Sequence, residues 1–278
     1  MLRFLAKELR ARRGMMIGWG LGMMMWSIGV ILLFPSVGPQ FGRLDLPEFY
    51  EFFGLLSSFS TLEGWIAVET LDLGLGIVLA VVAVIVGGDM LAGEEERGTL
   101  ELLLALPVRR WQLVLAKIIA LGFAFFIILF ATFVGNMLGV ELIRNQVEVD
   151  VTTRDILVAA MMGWPLLMVF ATMAMWLGAY LPARAQAVGV ASGVLIISYL
   201  VNGIGALSDR VEALVSYMPH NYYSAYDLLT EGMQIGHLFL LLGLTALFIV
   251  LTLLSFERRD VTVMAWPWRR ARPESGRG

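Results

Sequence analysis

The chain has 278 residues, of which 59% are hydrophobic and only 15% are charged. Its mean hydropathy of +0.79 excludes an ordinary soluble domain, in which about half of the residues are apolar and about a quarter are charged. The chain contains no cysteine, which excludes disulfides, thiolate catalysis and cysteine-based metal sites, and its net charge is −3.

The apolar residues form six runs of about 20 to 30 residues, and about twenty residues of helix are enough to cross a hydrocarbon core of about 30 Å. We therefore predict an all-α membrane protein with six transmembrane helices in a single domain, residues 1–278. An amphipathic helix over residues 1–13 is expected before the first span, and Pro165 is the expected kink in the fourth. The predicted spans are residues 15–34, 70–91, 111–140, 155–181, 185–204 and 237–256.

Two connections are too long to be simple turns. Residues 35–69 begin with Pro35 and Pro39 and are expected to form an outer cap or an interfacial segment. Residues 205–236 are too short and too polar to span the membrane twice. They are expected to form an interfacial or partly re-entrant helical segment between spans 5 and 6.

Basic residues are concentrated on one side of the predicted membrane. Sixteen of the twenty Lys and Arg residues lie in the N-terminal segment, the connection after span 2, the turn after span 4 and the tail at 257–278. Since cytoplasmic connections are enriched in Lys and Arg, both termini are predicted to be cytoplasmic. The opposite side keeps only Arg43, Arg144, Arg154 and Arg210.

The connection between spans 2 and 3 contains the charged stretch GEEERGTLELLLALPVRR, residues 93–110. Gly93 and Gly98 have the spacing of a phosphate-binding loop. However, Thr99 stands where that motif needs lysine, and three consecutive glutamates would repel a phosphate. The chain is therefore not expected to bind ATP through this segment.

The same stretch has the pattern of a short amphipathic helix over residues 94–107, which Pro107 ends. Its apolar face must be covered by the membrane surface, by neighbouring spans or by another protein, and the spacing leaves a helix on the membrane and a docked helix about equally open. The apolar stripe comprises Thr99, Leu100, Leu103, Leu104 and Leu106.

Residues 93–117, GEEERGTLELLLALPVRRWQLVLAK, resemble the signature of permease subunits of ABC-type exporters, the ABC type 2 permease family. The tail FERRDV, residues 256–261, is similar to the basic motif with which such permeases leave their sixth span. The positions that carry the first resemblance are Gly93, Glu94, Glu96, Gly98, Thr99, Leu100, Leu103, Pro107, Arg110 and Lys117.

The resemblance implies that residues 94–107 form a coupling helix that docks into a separate ABC ATPase subunit. It implies a transport subunit without an ATPase site of its own, so that ATP and Mg are bound by the partner subunit and this chain needs no cofactor. The residues it assigns to the ATPase contact are Gly93, Glu94, Glu95, Glu96, Arg97, Gly98, Thr99, Leu100, Leu103, Leu104 and Pro107.

Glycines repeat every four residues in two spans, which allows helices to approach closely. The spacing leaves open whether they pack spans of one chain together or join two chains. The resemblance implies a pair of permease chains, identical or paralogous, that meet through spans 1 and 5. The candidate dimer seam is then Gly14, Gly18, Gly22, Gly189 and Gly193.

Few ionisable residues lie within the predicted spans. Asp72 lies near the outer end of span 2, and Asp89 and Lys117 are expected to pair near the inner surface. His220 and His237 belong to no metal-binding motif, so neither metal ligands nor catalytic residues are predicted.

The expected function is therefore ATP-driven export of a hydrophobic or amphipathic cargo (a drug, an antibiotic or a lipid) across the cell membrane, without any nucleic-acid partner. The alternative within the same family is a sodium or ion exporter. A secondary transporter would need a duplicated half with midplane ionisable groups, and a membrane enzyme would need a catalytic set. Neither is visible in the sequence.

Overall fold

The computed structural model describes residues 2–41, 59–100, 109–205 and 209–258. Within these ranges all regular structure is helical, and six helices are long and apolar enough to cross a membrane. This confirms the predicted all-α class with six long apolar helices. The helices are α1 (Leu2–Phe41), α2 (Leu62–Glu96), α3 (Arg110–Ile143), α4 (Thr153–Tyr180), α5 (Arg184–Gly205), α6 (Asp209–Val215), α7 (Ala225–Thr230) and α8 (Ile235–Arg258).

The long helices run alternately up and down, so their ends collect into two groups. Contacts join the start of α1, the end of α2 and the start of α3 around Lys117, and the end of α8 lies beside them. We call this the Lys117 end. The opposite end, where α2 and α5 meet the connection before α8, contains His220 and is called the His220 end.

Helix α4 is the centre of the bundle. It packs against α2, α3, α5 and α8, and 78% of its most apolar stretch is buried, whereas the corresponding share is 17% in α8. The chain continues as helix through Pro165, which is buried together with Leu166, whereas Trp164 is half-buried. The outer helices α1, α5 and α8 therefore present apolar surface that suits lipid or another chain.

Helices α1 and α3 share the most extensive contact between two described helices, and small residues line part of it. A methyl group built on Gly135 would lie 2.6 Å from the carbonyl oxygen of Met24, and Gly20 faces Ala131 across the same contact. Glycine at such positions lets two helix backbones touch, which maximises van der Waals contact where lipid offers no hydrophobic gain.

Helix α1 is longer than the first predicted span, because Pro35 and Pro39 do not end it. A proline removes one helical hydrogen bond, but membrane helices tolerate this loss when neighbouring groups support the turn. Here the indole N–H of Trp65 in α2 donates to the carbonyl of Val30 at 2.9 Å, and its ring packs on Phe34. Part of the expected outer connection is thus helical; residues 42–58 lie outside the described ranges.

Helix α2 also begins earlier than predicted and is wider than an ordinary α-helix. The Thr61 hydroxyl accepts a hydrogen bond from the Gly64 amide and caps its start. Two stretches, Ile66–Leu79 and Asp89–Gly93, are π-helical. Such wide turns commonly occur at functional positions, and each of these stretches contributes polar groups to one end of the bundle.

The connection between α5 and α8 folds back against the bundle. It contains α6, a short 3-10 turn over Pro219–Tyr222, and α7, which packs on α2 and α4. The Tyr223 hydroxyl donates to the carbonyl of Ala159 in α4 at 3.3 Å. Burial of His220 and Tyr223 holds this connection in place.

The close contact between α1 and α3 makes a specific stability prediction. Gly135→Ala forces a methyl group onto the Met24 backbone, which cannot move aside as a flexible side chain would. We expect it to lower the free energy of unfolding in detergent by about 1–3 kcal/mol, the usual cost of overpacking. Gly243→Ala, at an exposed position of α8 with no atom within 4 Å, is the matched control. Equal stability of the two variants would contradict the packing argument.

Candidate functional site

The most buried charge in the described part of the chain is the ammonium of Lys117, whose side chain is 1% exposed. Its Nζ lies 2.7 Å from Oε1 of Glu94 at the end of α2 and 3.2 Å from Oε1 of Glu8 in α1. Arg12 lies 3.8 Å from the other oxygen of Glu8. Two cations and two carboxylates thus balance, as buried charges require. We call these four residues the Lys117 network.

The partner of Lys117 differs from the expected Asp89. Asp89 instead binds two arginines: Arg97 donates to its two oxygens at 3.1 and 3.2 Å, and Nε of Arg184 lies 3.0 Å from Oδ1. The hydrogen bond to Asp89 raises the pKa of Arg97 above its usual value. This Asp89 cluster (Asp89, Arg97 and Arg184) joins the end of α2 to the start of α5.

The conformation of the GEEERGT segment follows from its glycines. A side chain on Gly93 would overlap the Asp89 carboxylate and displace it from its present position. Gly98 has a φ of 68°, a left-handed conformation that suits glycine at the end of a helix, and its N–H donates to the Glu95 carbonyl at 2.9 Å. The Thr99 hydroxyl then donates to the Glu94 carbonyl at 3.1 Å. These bonds turn the chain away from α2.

The charged segment has an inner and an outer side. Glu94 and Glu95 are turned into the protein, and Leu100 is only 2% exposed. Glu96, Arg97, Gly98 and Thr99 are exposed, although one oxygen of Glu96 accepts the backbone N–H of Arg184 at 3.0 Å. The resemblance assigned all of these residues to the ATPase contact. Leu103, Leu104 and Pro107 lie outside the described residues.

A further contact joins the two motifs that carry the family resemblance, residues 93–117 and residues 256–261, which are far apart in the chain. The guanidinium of Arg110, at the start of α3, donates to the carbonyl of Phe256 at 3.1 Å and lies 5.9 Å from the centre of its ring. The end of α8 is therefore held at the same end of the bundle as the charged segment.

The five glycines of the candidate seam lie on open helix faces. Nothing approaches within 4 Å of a methyl group built on any of them, so they mediate no close packing between the described helices. The faces of α1 and α5 that carry them are available to lipid or to a second chain. These residues are Gly14, Gly18, Gly22, Gly189 and Gly193.

The comparison with known families accounts for both the helices and the charged segment. A family model described as ABC-2 family transporter protein matches residues 3–261, which is nearly the whole chain. The chain belongs to the ABC-2 transporter family. It is therefore an ABC permease subunit, a multi-pass membrane protein whose partner is an ABC ATPase. A search of curated proteins gives no match.

The ABC-2 permease has a second buried polar group at its opposite end. Nε2 of His220 lies 3.0 Å from the carbonyl of Gly76 in the π-helical part of α2, and Nδ1 lies 2.8 Å from the Ser198 hydroxyl of α5. Since a carbonyl only accepts, Nε2 carries the proton. The Ser198 oxygen accepts the His220 amide at 3.3 Å and donates to Nδ1. Both ring nitrogens are thus satisfied in the neutral imidazole.

Sequence reasoning assigned no role to His220, and no local signal could have done so. Its partners lie 22 and 144 residues away in the chain. Burial lowers the pKa of His220 because it disfavours the charged ring, although the hydrogen bond to Gly76 opposes this shift. No group of three or more metal-ligating residues occurs in the ranges that the structure describes.

Removal of the Lys117 ammonium should destabilise the permease. Lys117→Met leaves the partly buried Glu94 without its cation and leaves Glu8 with Arg12 alone, which we expect to lower the free energy of unfolding by about 3–5 kcal/mol. Adding Glu94→Gln to that variant should restore part of the loss. Chemical unfolding in detergent measures both, with Lys7→Met, an exposed lysine of the same helix as Glu8, as control. Equal losses in the two lysine variants would contradict the network.

Acid should weaken the His220 end. In the unfolded chain the imidazole of His220 takes up a proton below about pH 6.5, whereas burial opposes its protonation in the folded chain. The stability that depends on the neutral imidazole is therefore complete above that pH and is lost as the pH falls. We expect the free energy of unfolding of the wild type to fall by up to about 1.4 kcal/mol for each pH unit in that acid range. His220→Gln, which keeps an amide donor and acceptor, should lack this component. A wild type and variant with parallel pH profiles would contradict the neutral imidazole.

Proposed function

We propose that this ABC-2 permease is the membrane subunit of an ATP-driven exporter that moves a hydrophobic or amphipathic cargo, such as a drug, an antibiotic or a lipid, outward. The observation that carries the proposal is the Lys117 network. It connects Glu94, inside the charged segment, to α1 through Glu8 and to α3 through Lys117 itself. Force applied to that segment would therefore reach two transmembrane helices through buried ion pairs.

The Lys117 end is the cytoplasmic end in this proposal. The excess of Lys and Arg in the connections that belong to it supports this orientation, since such residues are retained on the cytoplasmic side. Both termini are then cytoplasmic, and the exposed side of residues 94–107 faces the ATPase subunit. ATP and Mg are bound by that subunit, and this chain contributes no nucleotide site or cofactor.

The division of the charged segment suggests separate roles for its residues. Exposed Glu96, Arg97 and Thr99 would contact the ATPase and give charge complementarity. Half-buried Glu94 would transmit the movement to Lys117 instead of touching the partner. Docking and coupling are therefore carried by different glutamates of the same motif.

The helices that receive the movement are those with open glycine faces. Glu8 connects the segment to α1, and the Asp89 cluster connects it to α5 through Arg184. The unoccupied surface at Gly18 and Gly189 supports pairing with a second permease chain, identical or paralogous. Closure of the ATPases would then shift α1 and α5 at the dimer seam, and a hydrophobic path would open there to the outside.

The roles of the glutamates can be separated by co-purification with the ATPase subunit and by assay of the complex in vesicles. Glu96→Arg should abolish co-purification, because the exposed charge is reversed at the contact. Glu94→Gln should retain the ATPase but lose most cargo-stimulated ATP hydrolysis. Glu148→Arg, an equally exposed glutamate on the opposite side of the membrane, is the control for charge reversal.

Two results would contradict the proposal. One is an ATPase that binds the Glu96→Arg variant as well as it binds Glu148→Arg. The other is a correctly folded Glu94→Gln complex with unchanged stimulation by cargo. Accumulation of a hydrophobic dye in inside-out vesicles with ATP tests the outward direction, because export from the cytoplasmic face fills such vesicles.

A further inference from the structure

A polar cavity lies at the His220 end between α2, α5 and the start of α7. Its volume is about 140 Å³, and it opens to the surface of the protein. On the same measure a single water needs about 10–15 Å³, so the cavity can hold a small organic group. The polar side chains that line it are those of Asp72, Tyr199, Asn202, His220, Tyr223 and Ser224.

Asp72 is the only carboxylate among the described side chains of this lining. Among the side chains that the structure describes, no Lys, Arg or His lies within ion-pairing distance of it. The backbone amide of Ala225 donates a hydrogen bond to it, and the carboxylate of Asp227 adds a further negative charge to its surroundings. A carboxylate at this depth is costly unless a positive charge joins it, which makes Asp72 a functional candidate.

The other lining groups suit a cation that donates hydrogen bonds. Tyr199 and Tyr223 offer aromatic rings and hydroxyl oxygens, and Asn202 offers an amide oxygen. His220 has already used both ring nitrogens, so it shapes the wall without binding a ligand. One carboxylate without two further acidic or imidazole ligands is a poor metal site.

We propose that this cavity binds the protonated amino group of a primary amine. The ammonium lies against the Asp72 carboxylate and donates its remaining hydrogens to Asn202 and the tyrosine oxygens. The carbon chain leaves through the opening of the cavity. This site goes beyond the export function, because amine binding at the His220 end needs neither the ATPase nor movement of the Lys117 network.

Two sources could supply the same chemistry: a free amine or the headgroup of an aminophospholipid. The first experiment uses the purified full-length protein in detergent and n-butylammonium as the probe. Isothermal titration measures its affinity, and 1-butanol, sodium and tetramethylammonium serve as comparisons of charge, size and hydrogen-bonding capacity. We expect saturable binding of n-butylammonium and at least about tenfold weaker binding of the other three.

Variants identify the site. Asp72→Asn should weaken n-butylammonium binding by at least about tenfold, because a desolvated charge pair is lost. Glu69→Gln is the matched control, since Glu69 is a half-buried carboxylate one turn earlier in α2 that does not line the cavity. Gly203→Leu is a second variant that keeps Asp72: Gly203 lines the cavity with open space beside it, so a leucine should occlude the ligand.

The outcomes are distinct. Equal binding of butanol or sodium would overturn the proposal, and so would unchanged affinity in a folded Asp72→Asn or Gly203→Leu protein. In nanodiscs, n-butylammonium that binds more weakly in phosphatidylethanolamine than in phosphatidylcholine would show that the headgroup amine competes for the site. That result would support the site and identify the headgroup as its occupant. Equal binding in the two lipids would support a site for a free amine. Loss of cargo export alone would not bear on either result.

Discussion

A lysine ammonium inside a bundle of membrane helices must be neutralised, because the surroundings offer neither water nor mobile counterions. Lys117 meets this requirement with Glu8 and Glu94, which belong to different helices. The pairing therefore determines how the start of α1, the end of α2 and the start of α3 are arranged. It also makes the end of α2 part of the buried structure of the bundle instead of a free surface connection.

Helix α2 links the two polar ends of the permease. At one end it carries Glu94 and Asp89, which are paired with α3 and α5. At the other it carries Asp72 and the Gly76 carbonyl, which face the cavity and His220. Asp89, Asp72 and Gly76 all lie in its π-helical stretches. A helix built in this way has polar contacts at both ends and a continuous apolar body between them, which suits an element that transmits movement.

The charged motif illustrates what a sequence pattern can and cannot resolve. The spacing of Gly93 and Gly98 already indicated a special backbone, and the structure explains it by a close carboxylate and a left-handed turn. The pattern could not separate Glu94, which is turned inward, from Glu96, which is exposed. The same limit applies to Pro35 and Pro39, because the support that α2 gives to α1 through Trp65 comes from another part of the chain.

The sequence alone determined the helical class, the six apolar helices and the family, because helix length, hydrophobicity and a compact motif are local properties of the chain. Only the tertiary structure decided which carboxylates neutralise Lys117, what His220 binds and which polar groups surround Asp72. These contacts depend on the rotation of each helix about its axis. That rotation is set by packing between residues as far apart as Glu8 and Lys117, which are separated by 109 positions in the chain.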